Sequence, residues 1–195
     1  MRQRIQDLFI NWREWFPATI FVSLAIFTVS GLAGYSTGAS ESKSVMEELM
    51  NTLAPLKRLN HLFLAALIFF NNSIKAVFTI LAGLLLGLGP LVFLTLNGFL
   101  LGIVIKGVVL EHGAIMTILG LLPHGILEIP SIILSSAMGL HLGIVVFKKI
   151  AGRDIQVKKE IKQCLIFYVA IILPALLVAA FVEVFVTPAL AGAFR

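Results

Sequence analysis

Residues 112–139 read HGAIMTILGLLPHGILEIPSIILSSAMG, and this stretch decides what kind of fold the chain adopts. It belongs to an apolar run over residues 113–147, which would be about 50 Å long as one straight helix. A bilayer core of about 30 Å needs only about 20 helical residues to cross it. The run therefore predicts a membrane helix that tilts strongly, breaks, or contains a part that does not span.

The composition of the whole chain indicates a membrane protein. Of its 195 residues, 59% are hydrophobic and 13% are charged, and the mean hydropathy is +1.02. A soluble domain is about 45–50% apolar and about 25% charged. The net charge of +5 does not indicate nucleic-acid binding, because the cations lie in short clusters beside apolar runs, without stacking aromatics along a face. We predict a single membrane domain over residues 1–195, in contact with the lipid bilayer and with no nucleic acid.

Five apolar runs predict an all-α, polytopic helical bundle with about five spans. The first, third and fifth runs have the length of one span, whereas the second and fourth are too long. We expect broken or re-entrant helices there, with breaks at residues 71–73 and 123–125, and Pro130 would free the carbonyl of Ile126. Freed backbone groups persist at membrane depth only where protein or a water-filled cavity covers them. The five runs are residues 16–38, 61–88, 90–110, 113–147 and 163–187.

The two long runs also align with each other. Shifted by 52 residues, the second run overlays the fourth, so that Asn72 meets His124. The alignment predicts an internal duplication, with repeat A at residues 60–110 and repeat B at residues 112–187, although apolar segments can also align by chance. Repeats with breaks in corresponding positions point to a site near the repeat interface.

Clusters of lysine and arginine predict the orientation, because cytoplasmic loops carry an excess of these residues. One cluster lies in residues 2–13 and the other in residues 148–162, which predicts a cytoplasmic N-terminus and a C-terminus outside the cell membrane. The first run is longer than the about 7–15 residues of a cleaved signal, so we predict an uncleaved N-terminal helix and span over residues 1–38. Residues 39–60 then form an external segment with the pattern of a short amphipathic helix.

His124 and Glu128 are four residues apart and therefore share one face of a helix. Ionisable groups inside a membrane are costly and usually face a bundle interior or a cavity, which makes this pair a candidate site. The alternative is that the pair lies near the outer interface, where both side chains reach water. Lys75 is the expected partner of Glu128, because pairing would lower the cost of burying either charge. Such a pair could lock two helices together or serve in a proton relay.

Amides and glycines complete the predicted intramembrane set. Asn71 and Asn72 lie at an expected break, and we predict that Asn97 bridges two helices through its amide. Two GxxxG steps let helices approach closely, either within the chain, which we favour, or as the seam of a homodimer. The steps are Gly83 with Gly87 and Gly139 with Gly143, and Gly98 and Gly125 are further predicted packing glycines.

The sequence holds no pattern that indicates catalysis. It has no HExxH metal motif, no phosphate-binding loop and no Ser-His-Asp arrangement. Cys164 is the only cysteine in the sequence and begins an apolar run, so we interpret it as a packing residue. We therefore expect no catalytic residue, no metal, no cofactor and no enzymatic activity.

Two stretches carry a resemblance to a known family. They are FFNNSIKAVFTILAGLLLGLGPLVFLTLNGFLLGIV (residues 69–104) and LLPHGILEIPSIILSSAMGLHLG (residues 121–143). Their succession of an asparagine-rich break, a glycine-rich helix, an Asn-Gly step and a PHGxxE motif resembles the stage II sporulation protein M family of membrane proteins. The resemblance covers roughly residues 60–190. The positions that match the family pattern are Asn72, Gly83, Asn97, Gly98, His124, Gly125 and Glu128.

The resemblance implies a membrane scaffold that, in sporulating bacteria, recruits peptidoglycan-cleaving proteins during engulfment, and it implies no catalytic residue. We therefore expect a non-enzymatic scaffold for envelope-acting partners, which dock on residues 39–60. If docking is hydrophobic, charges at Leu49 and Leu53 should abolish it. The alternative is a small transporter or channel whose site at the broken helices includes Lys75, His124 and Glu128.

Overall fold

The computed structural model describes residues 16–187, without the side chains of residues 53, 57, 58 and 121–124. In this part of the chain every regular element is helical, and five stretches are long and apolar enough to cross a membrane. These findings confirm the prediction of an all-α membrane bundle with five spans. The expectations on residues 2–13 and on the side chains of Leu53 and His124 lie outside the described residues.

The helices are numbered here in chain order. They are α1 (Phe16–Tyr35), α2 (Ala39–Leu53), α3 (His61–Ala82), α4 (Leu88–Ile150), α5 (Val157–Phe167) and α6 (Leu173–Phe181). A 3-10 turn, Ala54–Arg58, follows α2. Two π-helical segments, Tyr168–Ile172 and Val182–Val186, extend α5 and α6, so that Val157–Val186 forms one last pass.

Helix α4 has 63 residues and reverses direction within its length. Gly113 has φ 81° and ψ 169°, a non-helical conformation that divides α4 into a first arm (residues 88–112) and a second arm (residues 114–150). A positive φ costs glycine little because it has no Cβ. Gly139, late in the second arm, lies against Pro90 at the start of the first arm, so the two arms are antiparallel.

Helix α1 packs along the first arm in the same direction. Phe27 lies beside Gly98, and Tyr35 lies beside Gly102 further along both helices. Small residues at such crossings let backbones approach closely, and in lipid this packing takes the place of the hydrophobic force between soluble helices. Many large apolar side chains point outward instead, among them Phe21 and Phe78, as expected for surfaces that face lipid.

The passes end at two faces of the bundle. The basic face holds the start of α1, residues 83–87 and the loop 148–162 with its lysines. The α2 face holds α2, Gly113 and the end of the last pass, where the ring centroids of His61 and Phe185 are 5.9 Å apart. Because α3 and the two arms of α4 separate α2 from the loop 148–162, the two segments lie at opposite ends of the bundle.

The interruptions expected within the long runs lie at other positions. Helix α3 continues through residues 71–73, where the Asn71 amide donates to the side chain of its neighbour at 3.3 Å and leaves the helix backbone intact. The second arm is likewise helical through residues 123–125. Both predicted break positions are therefore wrong. The chain turns at residues 83–87 and at Gly113 because glycine adopts the positive φ required there. The internal repeat stays a prediction.

Candidate functional site

The two GxxxG steps pack against each other within one chain. A Cβ built on Gly83 would overlap the backbone of Gly139, and one built on Gly143 would lie 2.6 Å from the Gly87 Cα. Helix α3, the turn that follows it and the second arm therefore touch through their backbones within one chain. All four glycines are buried, so they are not available as the seam of a homodimer.

The two other predicted packing glycines differ from each other. Gly98 is buried, and a Cβ there would lie 3.1 Å from the Ser30 Cβ, so it marks the close crossing of α1 and the first arm. Gly125 is half-buried, and a Cβ there would reach only the Ile129 Cδ1 of its own helix, at 3.6 Å. Gly98 therefore lies at a helix crossing, whereas Gly125 lies beside a cleft, and the packing role of Gly125 stays a prediction.

Polar residues from three passes meet at mid-depth of the bundle. Asn72 and Lys75 lie near the middle of α3, Asn97 lies in the first arm, and Glu128 and Ser131 lie in the second arm. They line a cavity of about 30 Å³. A polar space of this size holds one or two water molecules, which would hydrate the side chains. The structure thus brings Lys75 and Glu128 to one cavity, as the sequence predicts.

Hydrogen bonds to the backbone orient two side chains of this cavity. The Asn97 Nδ2 donates to the Phe93 carbonyl of its own helix at 2.7 Å. This bond lies within the first arm, and the predicted amide bridge between helices stays a prediction. The Ser131 Oγ donates to the Leu127 carbonyl at 2.7 Å. An amide nitrogen carries two N–H groups, so Asn97 can still both donate and accept hydrogen bonds in the cavity.

An apolar cleft of about 750 Å³ adjoins the polar cavity. It lies between the two arms of α4, with Phe27 of α1 at its inner side. Asn97, Glu128 and Ile132 line both spaces, so the deep end of the cleft is polar. The cleft extends from there to Thr117, one turn after the reversal at Gly113, and therefore reaches from mid-depth toward the α2 face.

The remaining predicted residues lie apart from this site or outside the part of the chain that the structure describes. The side chain of Asn71 is exposed and does not line the cavity. His124 has a helical backbone, but its side chain lies outside the described residues. Cys164 is buried in the packed cluster that also includes Ile80 and Leu142, as expected of a packing residue. Among the described residues, no group of three histidine, cysteine or acidic side chains has the arrangement of a metal site.

An ionisable pair near the basic face escaped the sequence analysis. The His141 Nε2 and the Glu160 Oε2 are 3.1 Å apart, and their side chains are only 8% and 23% exposed. The pair joins the second arm to α5 across the loop 148–162. A histidine inside an apolar run is costly unless it has a polar partner. This rule could have selected His141 from the sequence as a candidate for pairing. The sequence alone could not select Glu160 from the acids of the neighbouring loop.

Helix α2 is fixed to the bundle by contacts on one side. The Lys106 Nζ donates to the Thr37 carbonyl just before α2, and the Met46 side chain lies against Gly107 of the first arm. The apolar side chains of α2 are turned inward, since Val45, Met46 and Leu49 are half-buried. The opposite side of the helix is polar and exposed.

The exposed side of α2 carries the acidic residues Glu41, Glu47 and Glu48. Hydrogen bonding to the backbone amide at the start of α2 lowers the pKa of Glu41, and the Ser40 hydroxyl and the charge of Lys106 act in the same direction. A carboxylate at a helix N-terminus also interacts favourably with the helix dipole. Glu41 therefore remains ionised at neutral pH. The exposed side of α2 carries three glutamates and one lysine, Lys43, so its net charge is negative.

Most of the chain matches one protein family. A family model described as stage II sporulation protein M matches residues 23–188. The chain belongs to the stage II sporulation protein M family. An uncharacterised protein of Methanocaldococcus jannaschii is 30% identical over 177 residues, which cover 88% of this chain and 95% of that protein. No solved structure matches the chain.

Family membership confirms the resemblance seen in the sequence and a location in a membrane. It also relates the residues that line the cavity to the family pattern. Of the positions that match the stage II sporulation protein M pattern, Asn72, Asn97 and Glu128 line one cavity, although they are far apart in sequence. Gly83 and Gly98 hold the surrounding helices together at close crossings. Three of the residues that carry the resemblance therefore line one cavity inside the bundle.

Proposed function

We propose that this member of the stage II sporulation protein M family is a non-enzymatic scaffold in the cell membrane. The observation that carries the proposal is α2, a helix anchored to the bundle with its polar side exposed. The lysines of the loop 148–162 favour a cytoplasmic basic face, so that the N-terminus lies inside and the C-terminus outside. The α2 face then points toward the envelope, where an envelope-acting or peptidoglycan-acting protein docks.

The docking surface is the anionic side of α2, centred on Glu47 and Glu48 with the exposed Met50 beside them. Leu49 is half-buried toward the bundle, so a charge there would disturb the anchoring of α2 as well as a partner. A rigid helix with charges on one side loses little conformational entropy when it binds. Opposite charges on the partner would also set the rate of association.

Reversing both charges, Glu47→Lys with Glu48→Lys, should reduce the recovery of envelope proteins with this chain at least about tenfold. The measurement is an affinity pull-down from native membranes in mild detergent, read by mass spectrometry. Glu111→Lys is the matched control, because Glu111 is exposed near Gly113 at the same face but lies outside α2. Unchanged recovery with the double variant would remove α2 as the docking surface.

A transporter or channel is the second candidate function, and the adjoining cavity and cleft favour it. A polar cavity at mid-depth that opens into a cleft is how secondary transporters present a substrate site. On this proposal Glu128 is the residue that binds a proton or a solute. The scaffold proposal makes no use of this space, so a flux measurement separates the two functions.

Glu128→Gln should abolish proton-coupled or solute-coupled flux in liposomes that contain the purified protein. The amide keeps the size of the side chain and removes its charge, so the loss would be in flux instead of folding. Asn71→Ala is the control, because Asn71 is exposed on α3 and does not line the cavity. Equal flux in wild type and Glu128→Gln would contradict a transport site at this carboxylate.

A further inference from the structure

An apolar groove of about 380 Å³ lies near the basic face. It runs between the start of α1, the turn at residues 83–87 and the end of the second arm. Its floor is formed where Gly143 meets Gly87, because neither residue has a side chain that could fill the space. The one hydroxyl in its lining is that of Thr19, which donates to the Phe16 carbonyl at 3.2 Å. The groove is therefore an apolar space close to one end of the bundle.

We infer that this groove binds one acyl chain of an anionic phospholipid from the membrane leaflet at the basic face, and that Lys148 binds the phosphate of its head group. The inference goes beyond the scaffold and transport functions, because it uses neither α2 nor the cavity at Glu128. It rests on the size of the groove, its depth in the membrane, its opening toward lipid and the charge at its outer end.

The size of the groove indicates a single hydrocarbon chain. From Leu140 to Phe147 the second arm rises about 10 Å, which is the length of the groove along this helix. The hydrocarbon of one leaflet is about 15 Å thick, so the groove covers about two-thirds of it. A helix of the same length and about 10 Å in diameter would occupy about 800 Å³, which is about twice the volume of the groove. The groove is therefore too small for a helix of a partner protein.

The groove lies at the depth of one leaflet and opens sideways. Helix α4 ends at Ile150, so the lining residue Phe147 lies only about 5 Å below the end of the helix. Val22, Leu86 and Phe147 line the groove and are 44%, 52% and 65% exposed, so its rim lies at the outer surface of the bundle. In a bilayer this surface faces lipid, and an acyl chain can enter from the surrounding leaflet.

Lys148 lies at the outer end of the groove, where the head group of such a lipid would be. It follows the lining residue Ile144 by four positions, so the two residues lie one turn apart on one side of the second arm. A helical side chain leans toward the N-terminus of its helix, which for Lys148 is the direction of the groove. The Lys148 side chain is exposed and can therefore reach a phosphate at the membrane surface.

Among the described residues of the basic face, the two acids are engaged with groups other than Lys148. The Asp154 Oδ1 is 3.7 Å from the Lys149 Nζ, and the Glu160 Oε2 is 3.1 Å from the His141 Nε2. The same loop holds six lysines and arginines against these two acids. A lysine at a membrane surface strengthens the binding of anionic lipid by about fivefold, and a zwitterionic lipid has no net charge that would gain from it.

The test compares two photoreactive lipids in phosphatidylcholine nanodiscs that contain the full-length protein. One is a phosphatidylglycerol and the other a phosphatidylcholine, each with a diazirine in the middle of one acyl chain, and labelled residues are mapped by mass spectrometry. We expect phosphatidylglycerol to label the groove at least about fivefold more than phosphatidylcholine does. Equal labelling of the groove by the two lipids, or labelling spread evenly over the lipid-facing helices, would overturn the inference.

Lys148→Gln locates the head group. It should reduce labelling of the groove by phosphatidylglycerol to the level of phosphatidylcholine, whereas Lys158→Gln should not. Lys158 is also exposed, but it lies about 160° around α5 from Glu160, which contacts the second arm, so it points away from that arm and from the groove. A preference for phosphatidylglycerol that survives Lys148→Gln would refute the assigned head site.

Val22→Trp locates the acyl chain. The larger side chain should fill the groove and suppress labelling there by both lipids. Val29→Trp is the matched control, because Val29 is 65% exposed on α1 and does not line the groove. Size exclusion in detergent checks that both variants fold, and the Lys148→Gln comparison does not require either of them. Full labelling of the groove in a folded Val22→Trp protein would contradict the chain site.

A second copy of this chain is the other occupant that the experiment can detect. A wild-type dimer that Val22→Trp dissociates, together with a groove that takes no lipid label, would assign the groove to that copy and overturn the inference. These variants alter neither the docking surface on α2 nor the carboxylate of Glu128. The lipid site and the two proposed functions therefore fail independently.

Discussion

Replacing Gly139 with alanine should lower the melting temperature of the protein by about 2–12 °C. The added methyl group would lie 2.7 Å from the Thr79 carbonyl oxygen of α3 and would also overlap the ring of Pro90 in the first arm. Three passes meet at this point, and backbone atoms and a proline ring cannot rotate away. Overpacking of this kind costs about 1–3 kcal/mol, and for a chain of this size 1 kcal/mol shifts the melting temperature by about 2–4 °C. Thermal unfolding in detergent, followed by fluorescence-detected size exclusion, measures the shift.

Gly120→Ala is the matched control, with an effect expected in the opposite direction. Gly120 also lies in the second arm, and among the side chains that the structure describes none comes within 4 Å of a Cβ built there. Alanine in an open helical position is more stable than glycine by about 0.5–1 kcal/mol. Gly120→Ala should therefore raise the melting temperature slightly. A Gly139→Ala protein as stable as wild type would contradict the close crossing of α3 with the second arm.

Glu160→Ala should produce the second large effect, a loss of about 2–3 kcal/mol of stability. Glu160 is 3.1 Å from the buried His141, and their contact fastens α5 to the second arm near the basic face. The substitution removes a hydrogen bond that involves an ionisable side chain in a poorly hydrated position. The melting temperature should fall by about 4–12 °C in the same detergent assay.

The pair between Lys149 and Asp154 provides the contrast. These residues belong to the same end of the bundle, but the charged atoms are 3.7 Å apart and the Asp154 side chain is fully exposed. Such surface pairs contribute about 0–1 kcal/mol, so Asp154→Ala should leave the melting temperature almost unchanged. The double variant of His141→Ala with Glu160→Ala should cost less than the sum of the single variants. Strict additivity would mean that the two side chains do not stabilise each other.

The residues of the intramembrane site could be identified from the sequence. Which of them lie next to each other could not. An ionisable or amide side chain in an apolar run is costly, and this rule selected Asn72, Lys75, Asn97 and Glu128. The rule does not state which of them are neighbours. It also predicted an interhelical bridge for Asn97 but not the bond that its amide makes to the Phe93 carbonyl of its own helix.

The predicted positions of the helix breaks show a second limit of prediction from the sequence. Asparagines and prolines interrupt helices in water, and this preference predicted breaks at residues 71–73 and 123–125. The chain reverses instead where a glycine takes a positive φ, at Gly87 and Gly113. Lipid offers no hydrogen-bond partner to an unwound backbone, so inside a membrane a helix continues through residues that end helices elsewhere.

The sequence by itself determined that this protein is a membrane bundle of five passes, because the cost of placing residues in lipid adds up along the chain and requires no knowledge of neighbours. It also indicated that glycine steps mark close helix contacts, but it left open whether these lie within the chain or between two chains. Only the tertiary structure decided that Gly83 meets Gly139, that His141 meets Glu160, and that a polar cavity adjoins an apolar cleft. The physical reason is that lipid is as apolar as the helix surfaces, so shape and hydrogen bonds between distant segments select the helix pairs.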